Sequence, residues 1–138
     1  MDLILASTSI YRKQLLQRLQ LPFRCVAPQV EETTRPGEDA GAMAARLALA
    51  KARAVAAANP NSLVIGSDQV AALEGRLIGK PGTHAKARAQ LLAAAGKTVQ
   101  FHTAVALCQP ERGLEQLHTE PFAVRFRPLT EAMIENNL

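Results

Sequence analysis

The chain has 138 residues, 48% of them hydrophobic and 20% charged, with eight Gly, eight Pro, two Cys, four Phe, one Tyr and no Trp. That length suits one domain able to bury about two-thirds of its unfolded surface, and the composition excludes a disordered tail, a collagen-like repeat and a disulfide scaffold. Sixteen Lys and Arg against twelve Asp and Glu leave a net charge of +4, a positive field that suits an anionic small ligand or weak nucleic-acid binding.

The cations are scattered and the aromatics too few for a base-stacking platform, so no specific nucleic-acid partner is expected. Residues 1–6 have no basic region and only a short apolar run, which excludes a signal peptide and reads as a buried first strand, Leu3–Ala6. Ser7-Thr8-Ser9 supplies cap hydroxyls for a helix running to about Leu19, with Leu15, Leu16 and Leu19 as its apolar face. Residues 23–27 read as a second strand, followed by a polar loop from Pro28 to Gly37 that carries Glu31, Glu32 and Arg35. Asp39 or Gly41 opens a long Ala-rich helix that stops before Asn59-Pro60. That proline also breaks the longest uncharged stretch, Ala54 to Ser67, so no membrane span is expected.

Leu63-Val64-Ile65 reads as a central strand covered on both faces, running into Gly66-Ser67-Asp68-Gln69-Val70. Glu74-Gly75 marks a hairpin turn, and Gly79-Lys80-Pro81 ends the hairpin. Thr83 caps a helix to about Ala95 that Gly96 closes. Residues 98–108 and 117–127 form two long strands joined by a turn at Pro110-Glu111-Arg112-Gly113, and Thr130 caps a last helix over residues 130–137. Helices alternate with strands, so the fold class is α/β with a mixed sheet flanked by helices. Cys25 and Cys108 lie far apart and outside any CxxC pattern, as suits buried small hydrophobes of a reducing cytoplasm.

Four clusters can carry chemistry. Ser7-Thr8-Ser9 with Arg12 and Lys13 is either a phosphate site at a helix N-terminus or a plain cap with solvated cations. Glu31-Glu32 is either solvated loop or a ligand pair for Mg²⁺, which takes one or two carboxylates plus phosphate oxygens. Asp68 follows the strand at Leu63, where catalytic groups of open α/β sheets gather, and Gly66 beside it leaves room for a ligand or metal; the alternative is a turn aspartate. Lys80, between Gly79 and Pro81, suits a phosphate or a simple turn, and lacks the spacing of a phosphate-cradling loop. His84, His102 and His118 sit at no zinc-ligand spacing.

Together, Leu5-Ala6-Ser7-Thr8-Ser9 with Arg12 and Leu15-Leu16, then Glu32, Lys51, Gly66-Ser67-Asp68-Gln69-Val70 and Gly79-Lys80-Pro81 resemble the Maf family of nucleoside triphosphate pyrophosphatases over essentially the whole chain. Tyr11 before the arginine and Gln69 after the aspartate are similar to the branch acting on 7-methyl-GTP; the dTTP/UTP branch has threonine after the aspartate. The resemblance implies a Maf/inosine-triphosphatase-like fold of two lobes around a cleft, a homodimer, a divalent cation (Mg²⁺ or Mn²⁺) and cleavage between the α and β phosphates of a nucleotide. It implies Asp68 as proton acceptor and, with Glu32, metal holder. Ser7, Arg12, Lys51 and Lys80 would grip the triphosphate, while Tyr11 and Gln69 select the base. Ile10 stands where the family commonly has proline, and Ala104 where glycine usually follows the threonine. The family also continues with a further segment, holding an Ala-Gly pair and a polar residue for the base, so residues 1–138 read as a single Maf-like domain lacking that segment. Two other readings stay open: a non-catalytic module that binds nucleotide or a partner, and a weak nucleic-acid binder.

Overall fold

Among the described residues, 2–79, 83–128 and 132, six strands and three α-helices, with a short 3-10 turn over Pro110–Arg112, form one six-stranded sheet with helices on both faces in the computed structural model. In chain order they are β1 (Leu3–Ala6), α1 (Ile10–Gln17), β2 (Arg24–Cys25), α2 (Ala40–Ala58), β3 (Leu63–Leu73), β4 (Arg76–Ile78), α3 (His84–Ala94), β5 (Thr98–Gln109) and β6 (Leu114–Arg125). The strand order is β2-β1-β3-β5-β6, with β4 also on β3. β1 runs parallel to β2 and β3, and the other pairings are antiparallel, so the sheet is mixed as the alternation of elements implies. The last helix, read over residues 130–137, lies outside the described residues except for Ala132.

Local signals place the helix starts. Ser9, Asp39 and Thr83 each accept a hydrogen bond from the backbone N–H three residues on, in the manner of N-caps. The nineteen residues of α2 bury Ala40, Ala44, Leu47, Ala48, Lys51, Ala52, Val55 and Ala56. That i, i+3, i+4 spacing is one helical face. It meets Ile4, Ala6, Val64, Val70, Ala104, Ala106 and Cys108 of the sheet. Because the face is mostly alanine, the helix approaches closely. A Cβ on Gly66 would stand 2.2 Å from the Ala48 carbonyl oxygen and 2.7 Å from the Ala52 nitrogen. Gly66 therefore makes room for the α2 backbone, where the sequence suggested room for a ligand or metal.

Three further expectations change. The second strand shrinks to Arg24 and Cys25, paired with Ile4 and Leu5, and Cys25 is exposed rather than buried. The strand at Leu63 does not stop before Asp68; it continues to Leu73, so Asp68 sits mid-strand. Helix α1 buries no residue: Leu15 and Leu19 remain 57% and 62% exposed. With Leu16 they line an open groove facing Leu5, Ile65 and Val105 on the sheet face opposite α2. The stripe points at the sheet but, among the described residues, nothing closes over it. At the far side, β6 forms the sheet's edge, and every residue after Leu114 in it is exposed.

Candidate active site

The cleft arises from a gap in strand pairing. On one side β3 pairs with β5 from Val64 to Leu73 without interruption. On its other side β1 pairs with β3 only as far as Gly66, and β4 starts at Ala71. Residues 67–70 thus have a ladder partner on one side alone, which leaves backbone polar groups open to a ligand. Asp68 lies in that gap. The opening is a cleft of about 260 Å³ lined by Asp68, Gln69 and Val70, by Leu77, Ile78 and Gly79 from the hairpin, by Met43 and Leu47 from α2, and by Glu32 and Thr34 from the loop before α2.

Side-chain alternation decides what Asp68 faces. Gly66 points at α2, so Asp68, two residues on, points the same way. There Lys51 Nζ donates to Asp68 Oδ1 at 2.9 Å and pairs with Glu32 Oε1 at 3.0 Å. Lys51 and Asp68 are only 8% and 7% exposed, whereas Glu32 reaches in from an exposed loop position. One ammonium between two carboxylates leaves the trio with one net negative charge. Breaking such a buried pair from one side costs about 3–5 kcal/mol, since a charge is left uncompensated.

Of the residues singled out in the sequence, then, Glu32, Lys51 and Asp68 converge within hydrogen-bonding distance. Gln69 lines the same cleft with an exposed side chain, and its Oε1 accepts from Thr103 Oγ1 at 3.2 Å. Ser7 is buried at the end of β1, where its hydroxyl oxygen accepts the Ser9 N–H at 3.0 Å. Arg12 lines the groove between α1 and the sheet beside Ser67, on the face opposite Asp68. Tyr11 is 82% exposed. Lys80 lies outside the described residues. Sequence reasoning did not single out Thr34, Met43 and Leu47, which complete the cleft wall, nor Arg46, which ties the loop carrying Glu32 to α2. The signal available for Arg46 is weak: it is one of three cations, with Lys51 and Arg53, in an alanine-rich run.

The donor set is one of hard oxygens. Among the described residues no three or more His, Cys, Asp or Glu side chains gather as a metal centre, but two carboxylates drawn to within 3.0 Å of one nitrogen converge on a common point at the cleft. Mg²⁺ asks for no more than that from protein when a phosphate supplies other ligands. No helix among the described residues is long and apolar enough to cross a membrane.

Comparison with known proteins bears on the fold and the family. Among solved structures the chain is similar to the Staphylococcus aureus Ham1 protein, with a TM-score of 0.63 at 16% identity over 91% of this chain and 71% of that one, a likeness of fold. In sequence it is 57% identical over 136 residues to the 7-methyl-GTP pyrophosphatase of Xanthomonas axonopodis pv. citri, covering 99% of this chain and 70% of that protein. It is 55% identical to the protein of that name from Polaromonas sp., over 99% of this chain and 62% of the relative. The identity is 51% with that from Pseudomonas fluorescens, over 100% and 72%. The chain therefore spans between three-fifths and three-quarters of these relatives' lengths. The Maf-like protein family matches residues 2–138, and the chain belongs to the Maf family.

Proposed function

We propose that the chain is a nucleoside triphosphate pyrophosphatase that hydrolyses 7-methyl-GTP to the monophosphate and pyrophosphate. The observation that carries this reading is the Glu32–Lys51–Asp68 trio in the β3 gap; the names of the relatives supply the substrate. A triphosphate is strongly anionic and the trio is net negative, so a divalent cation between Glu32 and Asp68 suits both partners. Held there by Glu32 and Asp68, Mg²⁺ or Mn²⁺ would supply neutralisation of charge growing on the leaving group. Asp68 takes the proton of the attacking water as oxygen bonds to the α-phosphorus. The bond to the bridging oxygen breaks, and pyrophosphate leaves with that electron pair. Lys51 holds the Asp68 carboxylate aimed into the cleft and adds positive charge beside the phosphates. Ser7, Arg12 and Lys80 remain our candidates for the rest of the phosphate grip, with Tyr11 and Gln69 for the base.

Pyrophosphate release from 7-methyl-GTP, GTP, dTTP and UTP with Mg²⁺ or Mn²⁺ tests the reading. Turnover highest on 7-methyl-GTP supports it, and binding without release makes the chain a nucleotide-binding module instead.

The two neighbouring glutamates separate cleanly. Glu32 reaches Lys51, while among the described residues Glu31 accepts from Thr33 Oγ1 at 3.3 Å within the loop. Glu32→Gln is expected to raise the half-saturating Mn²⁺ concentration about tenfold or more, on the scale of losing a metal-site carboxylate, and Glu31→Gln to leave it unchanged. Equal titration curves for both variants would reduce the loop to solvated surface.

Tyr11 offers a test of base choice. N7 methylation gives guanine a delocalised positive charge, which an aromatic face within about 6 Å attracts by roughly 0.5–2 kcal/mol. The ring is too exposed to staple α1 to its neighbours, so Tyr11→Leu should leave the melting temperature unchanged. The expected result is a loss in kcat/KM on 7-methyl-GTP of roughly tenfold, about 1.4 kcal/mol, with far less change on GTP. Equal losses on both nucleotides would remove Tyr11 from base selection.

A further inference from the structure

The loop that carries Glu32, residues 26–39, contains no helix or strand, and the backbone hydrogen bond made inside it is Glu38 N–H to the Arg35 carbonyl at 3.1 Å. Most of its residues are exposed, so burial does not fix its path. Side chains of α2 do: Lys51 pairs with Glu32, Met43 Sδ accepts from Thr34 Oγ1 at 3.7 Å, and Arg46 makes the most bonds to it. Arg46 Nε donates to Glu38 Oε2 at 2.6 Å, and its Nη2 donates to Glu38 Oε1 at 2.8 Å and to the Thr33 carbonyl at 2.8 Å. Glu38 Oε1 also accepts the Arg35 N–H at 3.3 Å, which closes the second half of the loop onto the same fork. The Arg46 and Glu38 side chains are mostly buried, at 19% and 9% exposure. Arg46 holds the Glu38 carboxyl down at about 2, so the pair stays ionised at any working pH.

The anchored carbonyl belongs to Thr33, the residue after Glu32. Arg46 and Lys51 are five residues apart on one rigid helix, roughly 7.5 Å along its axis. One helix therefore fixes both the loop and the ammonium that the loop's carboxylate meets. We infer that Arg46 is a positioning residue: by clamping Thr33 and Glu38 to α2, it holds the Glu32 carboxylate at the cleft opposite Asp68. Its bearing on catalysis rests on the function proposed above; the clamping itself does not. Lysine replaces it poorly, because Arg46 reaches both Glu38 oxygens and the Thr33 carbonyl through two nitrogens of a planar fork, a bidentate geometry that one ammonium nitrogen does not reproduce.

The test combines backbone relaxation with a metal titration on the full chain. In Arg46→Lys, amide order parameters across residues 31–35 should fall from about 0.85 to below about 0.6, while those of residues 67–70 hold. The half-saturating Mn²⁺ concentration for pyrophosphate release should rise about tenfold, as for lost support of a metal ligand, yet the rate at saturating Mn²⁺ should return to near wild type. In the Glu32→Gln background the same substitution should add nothing further. A loop that stays rigid in Arg46→Lys overturns the inference, as does a full additional Mn²⁺ penalty in the double variant. A loosened loop with Glu32→Gln indifferent to Mn²⁺ supports the clamp and sinks the catalytic reading of Glu32. Should Arg46→Lys fold poorly, Glu38→Ala cuts the same clamp from the loop side, and the same loosening is required of it.

Discussion

Asp68→Asn is expected to slow pyrophosphate release by roughly 10²–10⁴-fold, the usual cost of losing a general base, while nucleotide binding survives. The substitution keeps the size of the side chain and an oxygen to accept from Lys51, whose Nζ lies 2.9 Å from Oδ1. It removes the charge that takes up the proton. Lys51 keeps Glu32 as its ionic partner, so the variant should fold, with a modest fall in melting temperature from weakening a buried pair. Turnover assays on 7-methyl-GTP, paired with calorimetric binding of the same nucleotide, give both quantities. A variant with wild-type turnover would end the proposed mechanism; one that loses binding and turnover together would leave Asp68 its metal-holding role and remove it as the base.

Gly66→Ala should be the most damaging glycine-to-alanine change among the described residues. The new Cβ would meet the Ala48 carbonyl oxygen at 2.2 Å, the Ala52 nitrogen at 2.7 Å and the Ala52 Cβ at 2.9 Å. Two of the three are backbone atoms, which no rotamer change can move, so α2 must lift from the sheet. Overpacking of this kind costs about 3 kcal/mol or more, which for a domain of this size lowers the melting temperature by about 10 °C or more. The same displacement carries Lys51 away from Asp68, so the variant that remains folded should also lose activity. A melt within a few degrees of wild type would mean that α2 tolerates standing further out than its alanine face implies.

What the sequence disclosed follows the range of the interaction. Helix starts at Ser9, Asp39 and Thr83 were legible because a cap acts over three residues. The Glu74-Gly75 turn was legible for the same reason. Asp68 was recognised as chemistry but placed at a strand end, because Gly66-Ser67-Asp68-Gln69 looks like a break in an apolar run. Asp68 is tolerated in mid-strand because Lys51 of α2 meets its buried carboxylate. Gly66 was read for ligand access when its neighbour is a helix contributed from earlier in the chain. The stripe of Leu15, Leu16 and Leu19 gave the direction of α1 correctly, but periodicity carries no information on whether a face is covered. The convergence of Glu32, Lys51 and Asp68 depends on how α2 crosses β3, and no local spacing encodes it. Only the family resemblance joined those residues in advance. Arg46 has no local signature of its role because its partners sit on a loop without period.

The exposed edge strand β6 has a consequence for how the protein behaves at high concentration. A row of backbone donors and acceptors without a strand neighbour among the described residues can recruit a strand from another chain, and twelve residues make a long template. Here the row is interrupted: Pro121 offers no N–H, and Glu115, Glu120 and Arg125 place charge along the strand. Arg53 of α2 also pairs with Glu115, so the start of β6 is fastened to the helix layer. Those four residues act as gatekeepers, keeping an edge that pairs with β5 along its whole length from seeding aggregation between copies.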